Sequence, residues 1–127
     1  MNNGKINIAI IGGGDTGTPL LRQLAEASFV NIVGVADLHE DAPGMVFAKE
    51  KGIDITTDFM ELAQKGSEID IIIEVTGVPS VREQLRVYMQ ESANQHTIIM
   101  HEMIAILMMS LSQGELVAMK HSQVEYK

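Results

Sequence analysis

The segment KINIAIIGGGDTG, residues 5–17, decides the fold of this chain. Its first part, Lys5–Ile11, is almost continuously apolar, which is typical of a strand that helices cover on both faces of a parallel sheet. Gly12, Gly14 and Gly17 follow at the G-x-G-x-x-G spacing, and a segment of helical periodicity comes next. This order of strand, glycine turn and helix predicts the first unit of a doubly wound α/β fold.

Four further runs rich in Ile and Val predict the remaining strands, at Val30–Ala36, Ile53–Thr56, Ile69–Val75 and Thr97–Met100. Strands and helical segments alternate without a hairpin signal, so the crossovers are right-handed βαβ units and the sheet is parallel. We therefore expect a Rossmann-like domain of three layers with strand order 3-2-1-4-5. It spans residues 1–113, and residues 114–127 form a tail, an extra helix or the stump of a linker.

The helical segments carry recognisable start and stop signals. Asp15 or Thr16 caps a first helix that runs to about Ala27. A shorter helix covers residues 43–51 and stops at Gly52. Two later helices begin with capping-box pairs, which are Asp58 with Glu61 and Ser80 with Glu83.

Each glycine of the turn has a predicted mechanical role. Gly12 permits the tight bend, Gly14 lets the backbone approach a diphosphate, and Gly17 lets the helix pack close to the sheet. The helix N-terminus adds free N–H groups and a partial positive charge. The turn therefore predicts a dinucleotide site, and a merely flexible turn is the alternative. Its residues are Gly12, Gly13, Gly14, Asp15, Thr16 and Gly17.

Asp37 ends the second strand, 20 positions after Gly17. A carboxylate at this place accepts hydrogen bonds from the ribose hydroxyls of the adenosine and repels a 2′-phosphate. No arginine follows it, so we predict NAD as the cofactor and NADP as the less favoured one. Leu38 is assigned to the same site, whereas an ordinary turn aspartate is the alternative reading of Asp37.

A third element, EVTGVP at residues 74–79, ends the fourth strand. Ligands of open α/β sheets bind outside the carboxyl ends of the strands, where the strand order reverses. Thr76, Gly77 and Val78 are therefore predicted to line the crevice opposite the glycine turn. A simple strand-to-helix turn explains the same residues without a ligand.

Composition limits the classes of function. The chain has 127 residues, no cysteine and a formal charge of −8, from 17 acidic and 9 basic side chains. This balance disfavours nucleic acid and anionic membrane surfaces as partners. We find no signal peptide and no apolar stretch long enough to span a bilayer, and expect a cytoplasmic location. No metal ligand set is assigned.

No catalytic residue is assigned either. His101 and Glu102 follow the fifth strand, where a general base is conceivable, but a surface histidine beside a helix-start glutamate explains the pair more simply. Residues 102–112 are apolar nearly all round, so a partner surface is expected to cover this helix. That partner is a second copy in a homodimer or a downstream domain, and a central core helix is the alternative.

The glycine turn, the VAD end of the second strand at residues 35–37 and the IIEVTG stretch at residues 72–77 resemble known dehydrogenases. They are similar to the N-terminal NAD(P)-binding domains of homoserine and aspartate dehydrogenases and of Gfo/Idh/MocA oxidoreductases, over residues 5 to about 100. In those enzymes a second domain supplies the substrate pocket and the catalytic groups.

Two other segments, residues 37–44 and 56–59, resemble dehydrogenase-type domains fused to bacterial sensor kinases and PAS-containing proteins. The resemblances imply an NAD-binding module without its own catalytic domain, acting as a sensory or regulatory part of a larger signalling protein. The alternative is the cofactor domain of an NAD-dependent oxidoreductase, so enzymatic activity stays open. A domain that binds CoA or a nucleotide sugar is a weaker option.

Overall fold

A computed structural model describes residues 4–14 and 17–117 of the chain. Five strands alternate with five helices. In chain order the elements are β1 (Ile6–Ile11), α1 (Gly17–Glu26), β2 (Val30–Ala36), α2 (Pro43–Glu50), β3 (Ile55–Thr56), α3 (Phe59–Ala63), β4 (Ile71–Glu74), α4 (Pro79–Ser92), β5 (Ile98–His101) and α5 (Glu102–Gln113). A single 3-10 turn at Gly66–Glu68 precedes β4.

The strands form one parallel sheet in the order β3-β2-β1-β4-β5, which confirms the predicted topology. Ile11, the last residue of β1, is in register with Ala36 on one side and Glu74 on the other. Glu74 is in turn paired with His101 of β5. The register therefore aligns the carboxyl ends of β2, β1, β4 and β5 along one edge of the sheet.

Alternating side chains of β1 divide the core into two layers. Ile8 and Ile10 belong to a cluster with the apolar faces of α1, α2 and α5. Ala9 and Ile11 belong to a second cluster with α3 and α4. Because both faces of the central strand are buried, its sequence is apolar apart from Asn7, and the prediction of three layers is confirmed.

Several strands are shorter or shifted relative to the prediction. Ile53 is not part of β3, because its N–H donates to the Ala48 carbonyl at 2.8 Å and closes the turn that follows α2. Ile69 likewise donates to the Gly66 carbonyl at 3.1 Å and lies in the turn before β4. Hydrogen bonds to the preceding turns thus replace ladder bonds at these strand starts.

The predicted capping boxes are wrong in part. Asp58 does cap α3, since its carboxylate accepts from the Met60 N–H at 3.0 Å. The reciprocal bond is missing, because the Glu61 carboxylate accepts from the Thr56 hydroxyl and not from the Asp58 N–H. The backbone of Asp58 instead donates to the hydroxyl oxygen of Thr56 at 3.0 Å.

Ser80 does not cap α4, and that prediction is wrong. The helix begins one residue earlier, at Pro79, and Val78 stands at its N-cap without a side-chain hydrogen bond. Proline has a fixed φ suited to the first helical position, so it starts the helix before Ser80. The carboxylate of Glu83 then pairs with Arg86 on the helix surface.

Helix α5 packs on the sheet through one side only. Ala105, Ile106 and Met109 are buried, and Gly114, with φ +81°, caps the C-terminus of the helix. Much of the opposite side is exposed: Met103, Ile104, Leu107, Met108 and Leu111. Most of the predicted tail at 114–127 falls outside the described residues. Within the described ranges, no helix has the length and apolar character needed to cross a membrane.

Candidate functional site

The glycine turn makes a sharp bend that packs against the segment after β4. Gly12 has φ +113° and its N–H donates to the Ala36 carbonyl at 2.7 Å. A Cβ at Gly12 would lie 3.0 Å from the Val75 carbonyl carbon and 3.1 Å from the Thr76 nitrogen. Glycine is therefore required here both for the backbone conformation and for the close approach of the two segments.

Gly17 and Gly14 differ sharply in the space around them. A Cβ at Gly17 would lie only 1.9 Å from the Gly12 carbonyl oxygen, so only glycine lets α1 begin this close to the bend. A Cβ at Gly14 would have no atom of the described structure within 4 Å. Among the described residues, nothing therefore fills the space beside the Gly14 backbone, just before α1, as a ligand that contacts the main chain requires.

Three hydrogen bonds fix the peptide groups of Gly13 between neighbouring elements. Its N–H donates to Oδ2 of Asp37 at 2.7 Å. Its carbonyl accepts from the Gly44 N–H at 2.9 Å and from the Thr18 hydroxyl at 2.9 Å. The close contact with α2 depends on Gly44, because a Cβ there would lie 2.9 Å from the Gly13 Cα. The bend is therefore held by β2, α1 and α2 together.

Asp37 lies at the predicted place beside the bend. Oδ2 accepts from Gly13, and Oδ1 accepts from the His39 N–H at 2.9 Å. A carboxylate offers about four lone-pair positions, so each oxygen keeps capacity for a further donor such as a hydroxyl. Leu38 is exposed next to it, at 79% of its surface. Asp15 and Thr16, also predicted for this site, lie outside the described residues.

The segment after β4 reaches the bend as predicted, although the Thr76 side chain has a structural role. The Thr76 hydroxyl donates to Oε2 of Glu74 at 2.5 Å and accepts from the Val78 N–H at 3.0 Å. Gly77 has φ +71°, and Val78 is exposed. These residues form a turn opposite the glycine bend.

Glu74 is the residue of this region whose role the sequence did not reveal. It is fully buried at the end of β4. Besides the Thr76 hydroxyl it accepts from the Thr76 N–H at 2.8 Å, and Oε1 lies 3.1 Å from Nδ1 of His101. Oε1 also lies 3.8 Å from Nε of Arg82. A glutamate at the end of an apolar strand is visible in the sequence. Its partners are not, because Arg82 and His101 lie 8 and 27 positions further along the chain.

The arrangement fits the diphosphate of a nucleotide. The open space over Gly14 adjoins the N-terminus of α1, where backbone N–H groups and the helix dipole favour an anion. The Asp37 carboxylate stands on the β2 side of the bend, and the turn after β4 stands on its other side. In the described ranges, we find no group of three or more acidic or histidine side chains placed to hold a metal ion.

A cavity of about 790 Å³ lies at the opposite end of the sheet. The first half of β2, the second half of α1 and the segment before β3 line it, including Arg22, Lys51 and Asp54. Nucleotides bind at the carboxyl ends of such strands, so this cavity is separate from the candidate dinucleotide site.

No protein-family model matches the chain, and no curated protein matches it in sequence. Solved structures do match its fold. Homoserine dehydrogenase from S. aureus is 17% identical with a TM-score of 0.53, over 77% of this chain and 32% of that one. Saccharopine dehydrogenase (L-Glu forming) from Saccharomyces cerevisiae is 22% identical with a TM-score of 0.52, over 76% of this chain and 21% of that one.

A third structure, GenD2 from gentamicin A biosynthesis in complex with NAD, is 16% identical with a TM-score of 0.51. It matches 76% of this chain and 34% of its own length. The chain thus spans about a third or less of these proteins. At such identities the likeness shows the fold, and the resemblance to dehydrogenase nucleotide-binding domains expected from the sequence is confirmed at that level.

Proposed function

We propose that this chain binds a nicotinamide dinucleotide and is the cofactor domain of an oxidoreductase. The observation that carries the proposal is the open space over Gly14 at the start of α1, next to a bend that hydrogen bonds already hold in place. The N–H groups of Gly12 and Gly13 are already donated within the protein, so the diphosphate lies against the main chain at Gly14, on the side where this residue has no Cβ. The structural neighbours support the proposal, because they include dehydrogenases and a protein in complex with NAD.

The cofactor is NAD in preference to NADP. Asp37 holds a carboxylate where the adenosine ribose lies, and its oxygens keep lone pairs for the two ribose hydroxyls. A 2′-phosphate at this place is repelled by the negative charge of Asp37. Among the described residues, no arginine lies at the site to offset that repulsion. Leu38 supplies exposed apolar surface on the adenosine side, and Thr76, Gly77 and Val78 form the opposite wall.

The sensory role predicted from the sequence remains a prediction. It rests on the resemblance of residues 37–44 and 56–59 to domains of signalling proteins. The matched structures described above include two dehydrogenases, and this favours the oxidoreductase reading, which was the alternative from the sequence. Both readings require the same dinucleotide site.

Calorimetric titration with NAD tests the site, using Gly14→Val as the disruptive variant. The valine side chain enters the space assigned to the diphosphate, so we expect the affinity to fall at least tenfold. Thermal unfolding of the variant is the control, because nothing in the described structure opposes a Cβ at this position. Unchanged NAD affinity in a folded Gly14→Val variant contradicts the proposed site.

Asp37→Asn tests the choice of cofactor. The amide keeps a hydrogen-bond acceptor for the bend but removes the charge, so the affinity for NADPH should rise relative to NADH. Asp41→Asn is a matched control, because Asp41 is an exposed carboxylate of the same connection. An equal change in both variants contradicts a specific role for Asp37.

We also propose that the exposed side of α5 is covered by a protein surface, either a second copy of the chain or a following domain. Leu107 and Leu111 are 50% and 70% exposed on this helix, and methionines suit such adaptable surfaces. Sedimentation of the wild type and of Leu107→Glu tests the homodimer, with Val87→Glu on α4 as a control. A monomeric wild type contradicts the homodimer.

A further inference from the structure

We infer that the pair formed by His101 and Glu74 makes the preference between NAD⁺ and NADH depend on pH. The inference rests on the proposed function, because it requires a dinucleotide whose diphosphate lies on the glycine bend. It goes beyond that function by assigning a selective role to a histidine and a buried carboxylate at the carboxyl ends of β5 and β4.

The position of the pair follows from the strand register. Ile11, directly before the bend, is paired with Glu74, and Glu74 is paired with His101. With Asp37 on the β2 side, a dinucleotide that crosses the bend extends its second half over the ends of β4 and β5. The nicotinamide end of the cofactor therefore lies on the side of Glu74 and His101.

The hydrogen bonds fix the orientation of the imidazole ring. A carboxylate can only accept, so Nδ1 of His101 carries a proton and donates to Oε1 of Glu74, 3.1 Å away. The His101 side chain is 36% exposed, whereas the Glu74 side chain is 1% exposed. The ring thus takes up or loses its second proton at Nε2 without leaving its partner. A cavity of about 440 Å³ adjoins it, between α4 and β5.

Other charged groups around the ring come from each element packed against it. Glu74 is on β4, Arg82 and Arg86 are on α4, and Glu102 is the first residue of α5. Arg86 is paired with Glu83 on the surface of its own helix. Arg82 lies 3.8 Å from Glu74, so these two opposite charges roughly offset each other. The net charge of this group of side chains therefore changes when His101 gains or loses its charge.

The sign of the effect follows from the chemistry of the cofactor. The nicotinamide ring is cationic in NAD⁺ and neutral in NADH, while the rest of the molecule is the same. Histidine is the side chain that commonly changes charge between pH 5 and 8. A protonated His101 repels the cationic ring of NAD⁺ but not the neutral ring of NADH, so lowering the pH weakens NAD⁺ binding relative to NADH binding. For neighbouring unit charges near a protein surface we expect a change on the order of tenfold.

The experiment measures dissociation constants of NAD⁺ and NADH from pH 5.5 to 8 for the wild type, His101→Gln and His96→Gln. Taking the ratio of the two constants cancels contributions from the adenosine and diphosphate, which both forms share. His96 is a matched control, because it also pairs with a carboxylate, Asp70 at 2.6 Å, but lies before β5 at the opposite end of the sheet. We expect a pH-dependent ratio in the wild type and in His96→Gln, and a flat ratio in His101→Gln.

A wild type that binds neither form overturns the proposed function and this inference with it. A wild type that binds both forms with a ratio independent of pH overturns only the inference. A pH dependence that survives in His101→Gln also overturns it. If that variant does not fold, NMR titration of the His101 ring in the wild type replaces it. Binding linkage then requires a lower titration midpoint in the NAD⁺ complex than in the NADH complex, and equal midpoints overturn the inference.

Discussion

Replacing Gly17 with alanine tests how closely α1 must approach the glycine bend. The added Cβ would lie 1.9 Å from the Gly12 carbonyl oxygen and 2.9 Å from its carbon. To reach an ordinary separation the helix and the bend must move apart by about 1.5 Å. The bend cannot yield easily, because Gly12 donates to Ala36 at 2.7 Å and lies against the Val75 backbone.

Overpacking of this kind lowers the free energy of unfolding by about 1–3 kcal/mol. A clash between a Cβ and the backbone belongs at the upper end of that range. We therefore expect Gly17→Ala to lose about 3 kcal/mol of unfolding free energy. A domain of this size has a total of roughly 6–19 kcal/mol, so the variant folds but its midpoint of thermal unfolding falls by about 10 °C. Urea unfolding followed by circular dichroism measures the loss.

Gly14→Ala is the matched control for this experiment. Its Cβ meets no described atom within 4 Å, and Gly14 is not among the glycines with positive φ. Its unfolding free energy should stay within about 1 kcal/mol of the wild type. The reasoning is refuted if Gly17→Ala is as stable as the wild type, or if both variants lose the same amount.

Three further predictions concern positions around the site and the sheet. Gly44→Ala places a Cβ 2.9 Å from the Gly13 Cα, so both urea stability and NAD affinity should fall, by about 1–2 kcal/mol in stability. Asp58→Ala removes the carboxylate that caps α3 and should cost about 1 kcal/mol in urea unfolding. The Asn7 N–H, and then His96, hold the pKa of Asp70 well below its ordinary value of 3.8. The ionised form therefore stabilises the fold above about pH 4, and wild-type stability should fall more steeply than that of Asp70→Asn as the pH drops further.

The topology of the sheet could be predicted because it depends on local patterns that repeat along the chain. In β1, neighbouring residues such as Ile8 and Ala9 face opposite layers, so a continuous apolar run is enough to indicate a strand covered on both sides. The spacing of the glycines then predicts where the first crossover begins and where the candidate site lies next to it. Each of these signals extends over fewer than about ten residues.

The starts of the helices were predicted less well, because nearby residues compete for the N-cap position and for its hydrogen bonds. Ser80 and Glu83 have the spacing of a capping box, but Pro79 starts the helix first. Glu61 has the right spacing from Asp58, yet the Thr56 hydroxyl is its partner. A spacing rule cannot show which of two nearby partners is better placed.

The polar contacts of the candidate site could not be predicted, because they join distant parts of the chain. Glu74 and His101 are 27 positions apart and meet only through the pairing of β4 with β5. The fit of Gly44 against Gly13 likewise depends on the angle at which α2 packs. Sequence patterns name such residues individually but do not indicate which of them touch.

The anchoring of Gly13 has a consequence for how quickly a ligand can be accommodated. Its N–H and carbonyl are already engaged by Asp37, Thr18 and Gly44, so this stretch of main chain has little freedom left to lose. A ligand docking there is spared most of the ordering penalty that a slack loop would impose. A molecule that docks at the proposed site therefore meets a Gly13 main chain that is already in place, and the same three residues set the shape that it must match.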